Sequence, residues 1–169
     1  MANKLLLDVD PVCGDWADAL PDFAEQAERA AQLVFRSYWD DISPNWANPD
    51  GEICLRLSDD AEVQRLNRMF RGQDKPTNVL SFPAFDEDEP LPQINPQPLG
   101  DIILAFETVK CEAEEQGKSF SDHFNHLVVH GTLHLLGFDH EDDEEAHQME
   151  HWETCILKEL NIADPYADD

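Results

Sequence analysis

The stretch SFSDHFNHLVVHGTLHLLGFDH, residues 119–140, places a helical apolar pattern and a row of histidines on one segment. Four apolar residues recur at helical spacing and predict one buried face: Phe124, Leu127, Val128 and Leu135. Four histidines at spacings of three, four and four residues form a separate stripe: His123, His126, His130 and His134. Ser119 or Ser121 suits the N-cap, and Gly137 suits the end of the helix. The segment therefore predicts a helix from 119 to about 136 with a packing face and a histidine face.

Outside this helix the chain alternates between strand and helix patterns. Strands are predicted at 4–10, 51–58, 77–83 and 100–106, and further helices at 21–40, 59–70, 107–118 and 142–160. Ser58 suits the N-cap of the helix at 59–70, and the proline-rich, acidic stretch 84–98 predicts a long surface loop. We therefore expect an α+β (mixed α/β) fold in a single domain over residues 1–169, with about four strands in a sheet covered by about five helices.

The composition narrows the class of protein. Hydrophobic residues make up 41% of the sequence, as in globular proteins, and no run of about 18 apolar residues predicts a membrane span. The N-terminal stretch lacks the apolar segment of a secretory signal, and the four cysteines include no C-x-x-C pair. We therefore expect a cytoplasmic protein with reduced thiols.

The charge of the chain is strongly acidic but uneven. The net charge is −26, from 11 Lys and Arg against 37 Asp and Glu, which by itself counts against nucleic acid as a partner. Five of the 11 cationic residues nevertheless lie within 20 positions: Arg56, Arg65, Arg68, Arg71 and Lys75. Basic character is therefore concentrated in one segment of an acidic chain.

The histidine spacing indicates a metal site on the helix and the turn that follows it. His130 and His134 are one helical turn apart, so their imidazoles can bind one ion, and Gly137 lets the chain fold back so that His140 can reach it. Three neutral imidazoles with an open fourth position are typical of a catalytic zinc site, with one ion per chain. Nickel, copper or iron would also accept three imidazoles.

Other residues around these three histidines have less specific patterns. His126 is expected either behind the ligands or on the surface, since His140 completes the set without it. Asp139 is a candidate to orient an imidazole or to handle a proton, although its acidic neighbours suit an exposed helix start. Solvent-exposed positions are expected for the remaining histidines: His123, His147 and His151.

Gly131 occupies the position at which zinc peptidases with this histidine spacing carry a glutamate. A glycine inside a helix costs about 1 kcal/mol relative to alanine, so its presence indicates a close approach. Either space is needed beside the metal ligand, or the helix packs closely on the sheet. In both cases no carboxylate is available at this position, which argues against a peptidase.

Two blocks of the sequence resemble the YbeY family of bacterial rRNA maturation endoribonucleases. HGTLHLLGFDH, residues 130–140, is similar to the histidine motif of the family, and LNRMFRGQDKPTNVLSFP, residues 66–83, is similar to a second block. The resemblance extends to DPY at 164–166 and covers roughly residues 51–166.

The resemblance implies an active site and an activity. It implies a zinc ion held by His130, His134 and His140, with Arg71 as a further active-site residue. The implied activity is single-strand-specific RNA cleavage in small-subunit rRNA 3′-end maturation and ribosome quality control. Two residues depart from the family pattern: Gln73, where lysine is common, and Phe138, where tyrosine is common.

In this interpretation Arg71 would stabilise negative charge on a phosphodiester, while Arg68 and Lys75 would hold the RNA backbone outside the site. The expected partners are single-stranded RNA or rRNA and the ribosome or its basic proteins, with no membrane. Two alternatives stay open. One is a metallopeptidase-like hydrolase, and the other is a non-catalytic, metal-stabilised ribosome biogenesis factor, which the acidic charge would suit.

Overall fold

The computed structural model describes residues 4–41, 50–85, 94–139 and 141–167. In these ranges the chain forms four strands and six helices. In chain order they are β1 (Leu5–Pro11), α1 (Asp15–Ala19), α2 (Phe23–Asp41), β2 (Gly51–Ser58), α3 (Asp60–Arg71), β3 (Val79–Pro83), β4 (Gln97–Ala105), α4 (Phe106–Glu115), α5 (Phe120–Leu135) and α6 (Asp143–Glu159). The α+β class and the four strands are as predicted, and the short α1 is an additional helix.

The four strands form one mixed sheet in the order β1-β2-β4-β3. β1, β2 and β4 are parallel neighbours, whereas β3 pairs antiparallel with β4 and forms one edge. Ile53, Leu55 and Leu57 alternate along β2 and are fully buried, as expected for a strand with one face on a core. Parallel neighbours require long crossovers, and the helices between these strands provide them.

β4 separates two cores, because its side chains alternate between the two faces of the sheet. Ile102 and Leu104 join the larger cluster, which also takes side chains from α2, α5 and α6. Ile103 and Ala105 join a smaller cluster with Val63 of α3. α5 and α3 therefore cover opposite faces of the sheet, and α5 also contacts α2, α4 and α6.

α5 begins and ends within one residue of its predicted bounds. Ser119 is the N-cap, and its hydroxyl oxygen accepts a hydrogen bond from the amide of Asp122 at 3.0 Å. At the other end Gly137 has a φ of +102°, a region that glycine enters at little cost. The amide of Phe138 donates to the carbonyl group of Leu133 at 3.1 Å, which closes the last turn. The chain therefore leaves the helix directly after its last histidine.

Ser58 is not the N-cap of α3, so that prediction is wrong. It ends β2, and Asp59 caps α3 by accepting a hydrogen bond from the amide of Glu62 at 2.9 Å. The carbonyl group of Ser58 accepts from the indole of Trp16 at 3.0 Å, which ties α1 to the end of β2. The sequence pattern predicts no α1, because five residues are too few to show a helical period.

The predicted surface loop at 84–98 falls partly on residues 86–93, which lie outside the described residues. The end of the predicted loop is strand, because β4 already begins at Gln97. Among the helices in the described ranges, none has the length and apolar character needed to cross a membrane.

Candidate metal centre and active site

His130 and His134 face each other on α5. Their Nε2 atoms are 3.0 Å apart and their ring centroids 4.6 Å apart, because one helical turn separates the two residues. Two imidazoles bound to one tetrahedral zinc, at 2.0–2.1 Å each, would place their nitrogens about 3.3–3.4 Å apart. A small opening of the pair is enough to admit an ion, so these two side chains fit a shared metal.

The third predicted ligand, His140, lies outside the described residues. Among the residues that are described, no group of three or more His, Cys, Asp or Glu side chains is arranged to hold a metal ion. The three-histidine site thus stays a prediction, of which two members are placed side by side.

Glu153 is a fully buried acid on α6 that supports this pair. It accepts a hydrogen bond from Nδ1 of His130, and its second oxygen accepts one from the hydroxyl group of Tyr166. That second oxygen also lies 3.4 Å from Nε2 of His126. A buried carboxylate needs several donors to offset its lost hydration, and here α5 and the C-terminal segment supply them.

The donors around Glu153 decide its charge. Burial by itself raises the pKa of this carboxyl, but the hydrogen bonds from His126, His130 and Tyr166 outweigh it and lower the pKa to about 2. Burial, and then the bond to Glu153, raise the pKa of the Tyr166 phenol well above its usual range. Glu153 is therefore an anion at neutral pH, and an anion can only accept hydrogen bonds. Nδ1 of His130 must carry the proton, which leaves Nε2 of neutral His130 with a lone pair for a metal.

Glu153 is not among the predicted site residues, although its position in the sequence contains a signal. Met149, Ile156 and Leu157 are buried at helical spacing on α6, and Glu153 lies on the same face. A single acid on an otherwise apolar face is costly unless it is paired. It therefore indicates a buried partner, although the partner's identity depends on how α6 packs against α5.

The structure places the other histidines of the stripe differently from one another. His126 lies next to Glu153 with its side chain 13% exposed, so of its two predicted positions the structure favours the one behind His130 over the surface. His123 is buried, so the expected exposure is wrong: its Nε2 lies 2.9 Å from Oε1 of Glu112 on α4. Burial lowers the pKa of His123 more than this contact raises it. His147 and His151 are exposed, as predicted.

Gly131 packs against the sheet, which favours one of its two interpretations. A Cβ atom at this position would lie 3.0 Å from Cγ2 and 3.1 Å from Cδ1 of Ile102, a fully buried residue of β4. These distances are tighter than about nine in ten real Cβ contacts, so Ile102 would have to move by a few tenths of an ångström. The peptidase glutamate would therefore press on Ile102, and a glycine at this position agrees with the close approach of α5 to β4.

Arg71 lies at the C-terminal end of α3 and is exposed. Its Nη2 donates to the carbonyl group of Ser81 on the edge strand β3 at 3.2 Å. Ser81 pairs with Ile102 across the β3–β4 ladder, and Ile102 in turn contacts Gly131, the neighbour of His130. Arg71 is thus fixed to the strand at the edge of the sheet that α5 covers from the other side.

The remaining predicted site residues are accessible to different degrees. Arg68 and Lys75 are exposed near Arg71, and in the described part of the chain their side chains form neither an ion pair nor a hydrogen bond. Asp139 is partly buried after the turn that ends α5. The described structure therefore brings His126, His130 and His134 together and places Arg68, Arg71 and Lys75 in a separate exposed segment.

Comparison with known proteins gives a consistent result. The family model described as endoribonuclease YbeY matches residues 20–161. A protein of Paramagnetospirillum magneticum named endoribonuclease YbeY is 51% identical over 171 residues, covering 99% of this chain and 99% of its own length. A protein of the same name from Rhodospirillum rubrum is 52% identical over 165 residues, covering 96% of this chain and 82% of its own length.

A solved structure supports the same fold. The solution structure of TM1509 from Thermotoga maritima superposes with a TM-score of 0.52 at 25% sequence identity, covering 96% of this chain and all of that one. The match of the family model over most of the chain, together with relatives near 50% identity along almost its whole length, shows that this chain belongs to the endoribonuclease YbeY family.

Proposed function

We propose that this protein is a zinc-dependent endoribonuclease that cuts single-stranded RNA in the cytoplasm, in small-subunit rRNA 3′-end maturation and ribosome quality control. The observation that carries the proposal is the pair of Nε2 atoms of His130 and His134, 3.0 Å apart, with Nδ1 of His130 held by Glu153 so that Nε2 faces His134. The printed names of the relatives, endoribonuclease YbeY, supply the reaction class. The whole chain, residues 1–169, would form the one catalytic domain.

The metal site in this proposal consists of His130, His134 and His140, with one ion per chain. Zinc in such a site supplies Lewis acidity toward a phosphoryl oxygen and a nucleophile at neutral pH. Glu153 fixes the ring orientation and tautomer of His130, and His126 shares the same carboxylate. Asp139 is assigned to proton handling or to the orientation of an imidazole.

The substrate side of the proposal uses the basic segment. Hydrolysis of a phosphodiester builds negative charge on the non-bridging oxygens, and the Arg71 guanidinium offers paired donors for that charge. Arg68 and Lys75 would bind backbone phosphates near it, since neither side chain is committed elsewhere in the described part of the chain. Ribosomal RNA and basic ribosomal proteins are the proposed partners, the latter because the rest of the chain is acidic.

Metal analysis and RNA cleavage test these roles separately. Purified protein should contain about one zinc per chain, and His130→Ala combined with His134→Ala should remove it. Arg71→Ala should keep the zinc and lose cleavage of a single-stranded oligoribonucleotide. Full zinc content in the double histidine variant would refute the metal site, and wild-type cleavage by Arg71→Ala would refute the role of that arginine. The chemical ends of the products distinguish attack by water from attack by the RNA 2′-hydroxyl group.

A second candidate function is favoured by the net charge of −26. An acidic, metal-stabilised factor that acts on the ribosome through basic proteins would need no nuclease chemistry. Zinc-loaded protein that binds ribosomal proteins but leaves every single-stranded RNA intact would support this function over the endoribonuclease.

A further inference from the structure

The last turn of α3 exposes two large apolar side chains. Met69 is 61% exposed and Phe70 is 63% exposed, although Val63 and Asn67, which precede Phe70 on the same side of the helix, are buried. The Phe70 ring packs edge-on against Phe82 of β3, with centroids 5.4 Å apart and planes at 65°. Phe70 is therefore a ring that β3 holds in place while most of its surface remains in solvent.

The segment that contains these two side chains is basic. Residues 62–75 contain four cationic side chains, Arg65, Arg68, Arg71 and Lys75, and two acidic ones, Glu62 and Asp74. In a chain of net charge −26 such a segment is the place where an anion would meet least repulsion. Arginine and an exposed aromatic ring side by side are the two elements that single-stranded nucleic acid uses, phosphate binding and base stacking.

The Phe70 ring and the histidine site lie on opposite faces of the sheet, near its β3 edge. Phe70 and Phe82 lie on the α3 face of the sheet, and His130 belongs to the helix on the opposite face. β3 is the edge strand between them, and Arg71 bonds to the backbone of that edge at Ser81. A flexible chain that reaches both faces by way of the β3 edge passes Arg71, which bonds to that edge.

We infer that Phe70, supported by Phe82, is a stacking platform for an unpaired base of single-stranded RNA that crosses the β3 edge, while Arg68 and Arg71 bind the neighbouring phosphates. The inference rests on the proposed function, because it places the substrate strand of that same reaction. A phenyl ring offers no hydrogen-bonding group, so the platform takes any base and selects for single strands. In a duplex each base is already stacked and paired, and Phe70 cannot reach its face.

Equilibrium binding tests the platform. The affinity of zinc-loaded protein for a fluorescent single-stranded oligoribonucleotide is measured in the cold by anisotropy, and a gel afterwards confirms that the RNA is intact. Phe70→Ala should raise the dissociation constant by about 5- to 150-fold, the range measured for loss of one stacked base. Phe70→Tyr should bind like the wild type, whereas Phe70→Leu, which keeps apolar bulk without a ring, should be nearly as weak as Phe70→Ala.

Controls separate stacking from other effects. Leu6→Ala changes an exposed apolar residue on β1, at the far edge of the sheet, and should leave the dissociation constant unchanged. Thermal unfolding should be close to that of the wild type for each Phe70 variant, because the side chain is mostly exposed. For a duplex of the same length Phe70→Ala should change the dissociation constant by less than about twofold, since the duplex presents no free base face.

The outcomes distinguish this inference from the proposed function. Wild-type protein that binds single strands through Phe70 without cutting them would support the platform and refute the endoribonuclease. Cleavage by the wild type, with unchanged binding and KM in Phe70→Ala, would refute the platform and leave a protein partner as the occupant of this surface. Equal losses on single strands and duplexes, or no binding of RNA by the wild type, would also overturn it.

Discussion

Two histidines of α5 each contact a glutamate of another helix, and the two pairs differ in which side chain is buried. His123 is 3% exposed and its partner Glu112 is 29% exposed, whereas Glu153 is 0% exposed and its partner His130 is 21% exposed. In the first pair burial lowers the pKa of the imidazole and favours its neutral form. In the second pair three donors hold the buried acid ionised, and the imidazole stays partly accessible. The same two side-chain types thus form a structural contact in one place and support a candidate metal ligand in the other.

Which of the two side chains is buried decides the role of each pair. A buried carboxylate cannot turn to solvent, so it fixes the histidine tautomer firmly. Glu112 is partly exposed and also accepts from the amide of Asn78 at 2.9 Å, so its geometry depends less on His123. Variants that alter one pair and leave the other intact can test this difference.

Glu153→Gln should have the largest effect. The amide oxygen can replace only one of the two carboxylate oxygens, so the NH2 group opposes either Nδ1 of His130 or the donors at the second oxygen, Tyr166 and His126. We expect a loss of about 3 kcal/mol in the free energy of unfolding, as when one member of a buried ionic network is neutralised. Zinc affinity should fall about 10- to 100-fold. Urea denaturation and competition with a chromophoric chelator measure the two quantities.

Glu112→Gln is the matched control for that variant. Because Glu112 is partly exposed, the new amide can stay hydrated and still meet Asn78 or His123. We expect less than about 1 kcal/mol of destabilisation and unchanged zinc affinity. Similar losses of zinc affinity in both variants would contradict the idea that burial of the acid distinguishes the pairs.

Tyr166→Phe should have the next largest effect, because it removes one of the donors to Glu153 and leaves the others. A hydrogen bond to a charged group contributes about 1.5–3 kcal/mol, and the partial exposure of Tyr166 favours the lower end. Zinc affinity should fall less than in Glu153→Gln, because His130 keeps its own bond to the carboxylate. An unchanged urea midpoint would show that the C-terminal segment does not support the buried acid.

These contacts also show what local sequence could predict. The cap at Ser119, the apolar face and the turn at Gly137 lie within about 20 consecutive residues, so the bounds of α5 were predictable from its own pattern. The strand order β1-β2-β4-β3 and the contact between His130 and Glu153 join distant parts of the chain, and no local period contains them. Local pattern also failed for His123, because its exposure depends on where α4 packs.

Gly131→Ala should have a smaller effect on stability, and it should mainly disturb the contact between His130 and Glu153. The added methyl group meets Ile102, and overpacking of a core typically costs about 1–3 kcal/mol, partly offset by about 1 kcal/mol of helix propensity. We expect a net loss of about 1 kcal/mol. Any outward shift of α5 displaces the neighbouring His130 relative to Glu153, so zinc affinity should also fall.

Ile102→Val tests whether the sheet causes that loss. It removes Cδ1, one of the two atoms closest to the new methyl group. In a double-mutant cycle the two substitutions together should destabilise the protein by less than the sum of the single variants. Strict additivity would mean that Gly131 is required for a reason other than its contact with β4.

The smallest expected effect is on the pH dependence of stability, which tests the contact between His123 and Glu112. Because burial lowers the pKa of His123, the unfolded chain binds a proton there more readily than the folded one does. The contribution of His123 is complete above the unfolded pKa of about 6.5 and is lost as the pH falls toward the folded pKa. Glu153 does not titrate in this range, since its pKa is about 2. The wild type should therefore lose stability between pH 7.5 and pH 5.5, and His123→Gln should lose less.

Urea denaturation of both proteins at the two pH values measures this difference. The contributions of the other histidines to the pH dependence cancel because both proteins contain them. His147→Gln, at an exposed position of α6, should keep the wild-type pH dependence. If His123→Gln loses as much stability as the wild type, the buried imidazole is not the group that titrates. A larger loss in His123→Gln would mean that His123 gains a proton on folding, as a histidine would if its contact with Glu112 outweighed its burial. Glu112 and Glu153 would then both stabilise the histidine that they contact in the same way. Only the accessibility of the imidazole would distinguish His130, the candidate metal ligand, from His123, the structural contact.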